Sequence, residues 1–247
     1  MLQPGQLISE KYRVLEEAGA GELGPLYRVQ ELETGKVCAL KIIKLPDDAD
    51  RDLLRRLLED VDRIENLKGP HIIPPGRVEG ADGNQPYVVR EFLEGVTLEE
   101  LIRKEAPVPF HRACSIARQV AQALETAHHA GIVHGDLKPS RILLVPGDGA
   151  EIVKVLGFGF FTLKQNYFLE LSKLALKDGD HPLMGAPEYI SPEQAIGTGA
   201  EGLDGRSDLY SLGIIWHQML TGEVPFRGQN TMEILLAHLF TAPPPLH

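Results

Sequence analysis

The segment His134-Gly135-Asp136-Leu137-Lys138-Pro139 follows a long predicted helix, 111–130, and precedes a predicted strand, 142–145. Four more signatures accompany it in a fixed order. They are the glycine-rich stretch 19–24 followed by Lys41, and the segments 156–159 (L-G-F-G), 185–193 (G-A-P-E-Y-I-S-P-E) and 207–213 (S-D-L-Y-S-L-G). Chance does not place five such signatures in one chain in this order and at these spacings.

The glycine-rich stretch, Gly19-Ala20-Gly21-Glu22-Leu23-Gly24, fits the pattern G-x-G-x-x-G, which alone also describes a flexible hairpin turn. It lies between two predicted strands, which argues against a dinucleotide-binding turn because that turn opens a helix. Lys41 stands in the middle of a strand, seventeen residues after Gly24. This spacing favours a phosphate-pairing lysine over an edge-strand lysine that keeps its ammonium group in water.

The motifs resemble those of the bacterial eukaryotic-like (Hanks-type) serine/threonine protein kinases, over nearly the whole chain. The resemblance implies an α+β, two-lobed fold. We expect a small antiparallel β lobe with one helix at residues 1–93, and a larger, mainly helical lobe at 94–247. Strands are predicted at 12–15, 26–29, 37–43, 72–78, 87–92, 142–145 and 152–156, and helices at 53–67, 98–104, 111–130, 231–240 and from a cap at Ser207 to Gly222.

The resemblance also implies roles for individual residues, with ATP as the ligand. Lys41 would pair with the α- and β-phosphates. Asp136 would orient the substrate hydroxyl, Lys138 would neutralise the γ-phosphate, and Asp208 would hold the catalytic loop from the helix beneath it. The backbone of three glycines would cover the phosphates: Gly19, Gly21 and Gly24. Three apolar side chains would sandwich the adenine: Leu26, Ala39 and Leu143. The backbone of Glu91 and Leu93 would hydrogen-bond the edge of the adenine.

Two departures from the family pattern remove the protein ligands of magnesium. The family has D-F-G where this chain has Gly157-Phe158-Gly159, and it has an asparagine where this chain has Arg141. Glycine has no side chain to offer, and arginine has five donors and no acceptor. We therefore do not expect Mg²⁺ as a cofactor. Losing ~5 kcal/mol of metal stabilisation would slow phosphoryl transfer by roughly three to four decades.

Further departures affect control by phosphorylation. Gly135 replaces the arginine that receives an activation-loop phosphate, and Ala186 replaces the threonine that bonds the catalytic aspartate and lysine. Between residues 160 and 184, only Thr162 and Ser172 carry a serine- or threonine-type hydroxyl. Phosphorylation therefore has few acceptors here and no receptor for the added charge.

The helix partner of Lys41 is also altered. A gap-free count places Asp60 where the family has a glutamate, with Glu59 beside it, and the sequence leaves both candidates open. Arg90 stands where the family has an apolar gatekeeper. Its side chain points either to solvent or into the pocket, and the gap-free match of 87–92 favours the pocket.

Two arginines would then face the nucleotide. Guanidinium groups suit phosphate oxygens, so Arg141 and Arg90 would permit nucleotide binding without a cation, with Arg141 as the stronger contributor. In the alternative, Arg90 pairs with Asp60 or Glu59 and fills the pocket, so that nothing binds.

Composition limits the partners. The 247 residues carry a net charge of −10, and such an acidic chain repels nucleic acid and anionic lipid. Cys38 and Cys114 lie in apolar runs and are interpreted as small buried hydrophobes. No stretch approaches the ~18 apolar residues of a membrane helix, and the N-terminus lacks a signal-peptide layout. We expect a cytoplasmic chain, with a membrane anchor after residue 247 left open.

Three functional hypotheses follow. The first, favoured by the lost metal ligands, is a pseudokinase that binds another protein, such as a regulated enzyme, receptor or scaffold. The second is a weakly active ATP-dependent serine/threonine kinase, since Lys41, Asp136 and Lys138 remain. The third is one recognisable part of a larger scaffold or receptor. The family continues with more helices after the end of this chain, so we also expect a truncated large lobe, an uncovered apolar surface, and self-association or a required partner.

Overall fold

The computed structural model describes residues 2–21, 24–43, 64, 66–74, 76–80, 86–147, 149–159, 186–197 and 202–246. The chain divides into two compact units that interleave along the sequence. The first unit comprises Met1–Asn66 and Pro74–Glu94, and the second comprises Leu67–Ile73 and Gly95–His247. The predicted boundaries, 1–93 and 94–247, differ from this division at Glu94, which belongs to the first unit, and at Leu67–Ile73, where Ile72 and Ile73 pair with a strand of the second unit.

The strands and helices of the described residues agree with an α+β fold. The strands are β1 (Leu7–Ile8), β2 (Tyr12–Gly21), β3 (Gly24–Glu31), β4 (Val37–Ile42), β5 (Ile72–Ile73), β6 (Arg77–Glu79), β7 (Tyr87–Glu91), β8 (Val96–Thr97), β9 (Ile142–Pro146) and β10 (Glu151–Leu156). The helices are α1 (Leu98–Glu105), α2 (Phe110–His129), α3 (Pro192–Ala195), α4 (Gly205–Thr221) and α5 (Thr231–Phe240), with 3-10 turns at Pro139–Arg141 and Pro187–Tyr189. The predicted fold class, a β-rich part followed by a mainly helical part, is confirmed.

The first unit is built on a six-stranded antiparallel sheet with the order β1-β2-β3-β4-β7-β6. Alternate residues of four strands point to one face and form a buried cluster, because side chains along a strand alternate between its two faces. The cluster contains Tyr12, Val14, Tyr27, Val29, Leu40, Ile42, Tyr87 and Val89. The opposite face carries the residues between them, and among these is Lys41.

The second unit combines a four-stranded sheet, ordered β5-β10-β9-β8, with the helices. Helix α2 buries a stripe that includes Ile116, Val120 and Leu124, and packs on α4 and β10. Apolar residues spaced three and four apart produce such a stripe along one helix face. None of the helices in the described part of the chain has the length and apolar character needed to cross a bilayer.

Three predicted boundaries are wrong. The strand predicted at 12–15 continues to Gly21 as β2. The predicted strand 72–78 is two strands in different sheets, β5 and β6, separated by Pro74, a residue without the backbone donor that a strand interior uses. Helix α4 begins earlier than predicted. Its N-cap is Asp204, whose carboxylate accepts a hydrogen bond from the Arg206 amide, so that Ser207 lies inside the first turn. The predicted end at Gly222 is confirmed by its left-handed backbone, with φ of 83°.

The predicted helix 53–67 lies almost wholly outside the described residues, of which it includes Ile64, Asn66 and Leu67. Asp60 and Glu59, the two candidate partners of Lys41, therefore lie outside the described residues as well.

Candidate functional site

The described glycines of the glycine-rich stretch lie in paired strands, Gly19 and Gly21 in β2 and Gly24 in β3. Gly21 is paired with Gly24, and Gly19 is paired with Leu26, after a register shift. Gly19 and Gly24 have φ of 149° and 139°, a backbone that residues with a Cβ rarely adopt. The glycines therefore belong to two paired antiparallel strands and not to the start of a helix, as the sequence predicted.

The strand register places the expected small-lobe residues on one face. Leu26 is paired with Lys41, and Lys41 with Val88, while Ala39 is paired with Arg90. All five residues alternate with members of the buried cluster and therefore lie on the sheet face opposite to it. Leu26, Ala39 and Lys41, which the resemblance assigns to nucleotide binding, thus share a face. Arg90 shares that face with Lys41, so the register agrees with the pocket-facing alternative for Arg90.

Arg90 is a partly buried cation on this face. Burial lowers its pKa to about 10, which still leaves the guanidinium protonated at neutral pH. No hydrogen bond or ion pair joins Arg90 to another residue within the described ranges. A charge in such surroundings is costly unless it meets an anion, and this sets Arg90 apart from Arg28, which contacts Glu16 at 3.1 Å and lies over the Phe92 ring.

In the second unit, Asp208 holds the segment that begins at His134. Its carboxylate accepts 2.8 Å hydrogen bonds from the backbone amides of His134 and Gly135, and a 2.7 Å hydrogen bond from Nε2 of His128. Asp208 is only 1% exposed, and three donors compensate for burying its charge. The expectation that Asp208 anchors the catalytic loop is confirmed.

Gln194 supports the same loop from a second side. Its side-chain amide donates a 2.7 Å hydrogen bond to the Gly135 carbonyl, and its amide oxygen accepts from the Ser191 backbone. Sequence reasoning did not single out Gln194 or His128. The spacing Ser191-x-x-Gln194, a capping box at the start of α3, was a signal for the position of Gln194 but not for its contact with the loop.

His134 is fully buried and fixed as a neutral ring. Nε2 donates to the Leu156 carbonyl at 2.9 Å, and Nδ1 accepts from the Asp136 amide at 3.2 Å. The ring packs against Phe158 in a T-shaped arrangement, with the ring centroids 4.9 Å apart. One donor and one acceptor match the neutral imidazole, and burial lowers the pKa of His134 below its ordinary value.

Asp136, the expected catalytic residue, lies between two cations. Arg141 donates a 2.5 Å hydrogen bond to Oδ2 of Asp136, and Nζ of Lys138 lies 3.9 Å from Oδ1. The three side chains are between 13% and 15% exposed, so water screens their charges only in part. The sequence predicted all three positions but expected Arg141 to address phosphate rather than Asp136.

Gly157 adjoins the same guanidinium. Nη1 of Arg141 donates to the Gly157 carbonyl oxygen at 3.3 Å, and a Cβ added at Gly157 would overlap Nη1. Magnesium requires oxygen ligands in octahedral geometry, and here one position has no side chain and the other carries only donors. Positions 141 and 157 therefore do not fit a magnesium ion. The described residues also contain no group of three or more histidine, cysteine, aspartate or glutamate side chains suited to a metal ion.

The remaining adenine residues occupy the expected elements. Glu91 ends β7, Leu93 follows it in the first unit, and Leu143 lies half-buried in β9 of the second unit. Their roles toward adenine stay predictions.

The protein kinase domain family matches residues 12–242. A probable serine/threonine-protein kinase of Clostridium perfringens (strain 13 / Type A) is 34% identical over 235 residues, covering 95% of this chain and 32% of the relative. Serine/threonine-protein kinase pkn3 of Myxococcus xanthus is 32% identical over 249 residues, covering 98% and 43%. Serine/threonine-protein kinase PknB of Mycolicibacterium smegmatis is 30% identical over 243 residues, covering 97% and 37%.

The chain thus spans between 32% and 43% of the length of these three relatives. The matched residues include the glycine hairpin, Lys41 and the loop held by Asp208. Family, fold and site geometry agree, and the chain belongs to the protein kinase domain family, among the bacterial Hanks-type serine/threonine kinases.

Proposed function

We propose that this domain is a pseudokinase, which acts by binding another protein and does not transfer phosphate. The observation that carries the proposal is the 2.5 Å contact between Arg141 and Asp136, formed beside Gly157. Phosphoryl transfer needs metal ions to bridge the phosphates and a carboxylate to receive the substrate hydroxyl. In this chain the same guanidinium stands at one metal position and binds that carboxylate.

The first unit retains the features expected to hold a nucleotide. The β2–β3 hairpin keeps its glycines, and Lys41 shares a sheet face with Leu26 and Ala39. ATP is therefore the proposed ligand, bound without a divalent cation. Arg90 supports this proposal, since it adds a second positive charge to the face of Lys41.

One observation favours an alternative, a weakly active ATP-dependent serine/threonine kinase. Asp208 and Gln194 hold the loop of Asp136 through buried hydrogen bonds, and the relatives above bear the names of kinases. Because the loop is held in place, a small movement of the Arg141 side chain would be enough to release Asp136. We rank this alternative second because it still lacks both metal ligands.

The test is transfer of radiolabelled phosphate from ATP to a generic protein substrate, in magnesium and in manganese. The wild type is compared with Asp136→Asn, and an active serine/threonine kinase serves as the positive control. We expect no difference between wild type and variant. Transfer near ordinary kinase rates, ~1–100 per second, that Asp136→Asn abolishes would contradict the proposal. Slow transfer abolished by that variant would favour the alternative.

A further inference from the structure

Two positions that depart from the family pattern, sixteen residues apart, touch each other in the second unit. Nη1 of Arg141 contacts the Gly157 carbonyl, and Nη2 contacts the Asp136 carboxylate. Because both departures involve the Arg141 guanidinium, they form one coupled change and not two independent losses of a metal ligand.

Arg141 and position 157 constrain each other sterically. A Cβ at position 157 would overlap Nη1 of Arg141 and lie 3.2 Å from its Cζ. The atoms it would meet lie at the end of a flexible side chain, but two hydrogen bonds hold that end in place. Arg141 in this position therefore requires glycine at 157.

Arg141 and Asp136 also interact electrostatically. Asp136 and Arg141 are about equally inaccessible, with 13% and 15% of their side chains exposed. Removing one member of a largely buried ion pair leaves the other charge poorly compensated. Here Lys138 lies farther from Asp136, at 3.9 Å, so Arg141 supplies the closer positive charge.

We propose that Arg141 and Gly157 act together. The guanidinium of Arg141 takes the place of the divalent cation, and the missing side chain of Gly157 leaves space for it. The inference deepens the proposed function by naming the residues that exclude the metal. It follows that restoring one position alone does not restore a metal site. Gly157→Asp would place a side chain against Arg141, and Arg141→Asn alone would leave no carboxylate at 157.

The experiment is a double-mutant cycle on unfolding, with Gly157→Ala, Arg141→Asn and the double variant of the 247-residue chain. Gly157 has φ of 91°, so an added methyl group is strained even without Arg141. This strain is common to both backgrounds, and the cycle removes it. Gly149→Ala is the matched control, because Gly149 has φ of 84° and open space around the added Cβ.

We expect Gly157→Ala to raise the unfolding equilibrium constant about tenfold more with Arg141 present than with asparagine there. The Gly149→Ala effect should be the same in both backgrounds. Equal effects of Gly157→Ala in both backgrounds would overturn the inference.

A second measurement reads the metal directly, by titrating Mn²⁺ in the presence of ADP and following its electron paramagnetic resonance signal. We expect bound Mn²⁺ to increase about tenfold in Arg141→Asn/Gly157→Asp relative to either single variant. The inference would be overturned if Gly157→Asp alone bound as much Mn²⁺ as the double variant. It would also be overturned if the double variant bound no more Mn²⁺ than the single variants. These outcomes are independent of phosphate transfer by the wild type, which tests the proposed function alone.

Discussion

Arg141 donates a 2.5 Å hydrogen bond to Asp136, so the carboxylate that the family uses for the substrate hydroxyl is engaged by the domain's own side chain. The loop around this contact is otherwise intact, because Asp208 and Gln194 bond its backbone. The domain has thus retained the scaffold of a kinase site while the groups at the centre have changed.

Arg141→Gln should destabilise the second unit by ~1–3 kcal/mol, because it removes the guanidinium that binds the largely buried Asp136, and among the described residues Lys138 lies farther away, at 3.9 Å. The matched control is Arg206→Gln. Arg206 pairs with Asp204 at 2.8 Å, but its side chain is 87% exposed, so its loss should leave stability nearly unchanged. Urea unfolding of both variants checks the contrast, and equal effects would show that the Arg141 contact contributes no more than a surface ion pair.

Asp208→Asn should cost more, ~2–4 kcal/mol, because a buried carboxylate with three donors becomes a neutral amide that cannot accept all three hydrogen bonds. Thermal unfolding measures the loss. Asp204→Asn is the control at the exposed start of the same helix, where an asparagine caps nearly as well. A loss for Asp208→Asn no larger than for Asp204→Asn would mean that this anchor contributes little.

Arg90→Met should raise stability by ~1 kcal/mol, because methionine fills similar volume without burying a charge that has no hydrogen-bond or ion-pair partner among the described residues. Arg28→Met is the control and should not stabilise, since Arg28 has Glu16 and the Phe92 ring as partners. A loss of stability in Arg90→Met would show that Arg90 has an anionic partner in the folded chain. Asp60 and Glu59 would then be the first candidates.

Acid should destabilise the domain through His134. Its pKa is lowered in the folded state, so at pH below the ordinary value of 6.5 the unfolded chain binds more protons than the folded chain. Stability is therefore constant above that pH and falls as the pH drops toward the folded pKa. We expect a loss on the order of 1 kcal/mol between about pH 7.5 and about pH 5.5, smaller in His134→Gln and unchanged in His111→Gln, whose side chain is exposed. If His134→Gln loses as much stability in acid as the wild type, the loss comes from other titratable groups.

Self-association should depend on the apolar surface of α5. Met232, Leu236 and Phe240 are 63%, 46% and 80% exposed, which is unusual for large apolar side chains on one helix. Light scattering should detect oligomers that dissociate in Leu236→Glu, while Glu233→Gln on the same helix has no effect. A strictly monomeric wild type over a wide concentration range contradicts the prediction.

Motif spacing predicted the scaffold well because it reflects backbone requirements. The glycine hairpin needs positive φ, and Asp208 needs a helix start beneath the loop. The direction of the Arg141 side chain was harder to predict. The position of Arg141 in the sequence does not indicate whether its guanidinium binds a phosphate or Asp136. The missed break between β5 and β6 was visible as Pro74, which the apolar run around it obscured.

The central claim is that the domain does not use a metal-bound nucleotide, and calorimetric titration of ATP into the wild type tests it most directly. The titration is made once with magnesium and once with EDTA. The account predicts that magnesium does not strengthen binding, because Gly157 and Arg141 offer it no side-chain oxygen. Affinity about tenfold or more higher with magnesium, a gain of ~1.4 kcal/mol, would contradict the account.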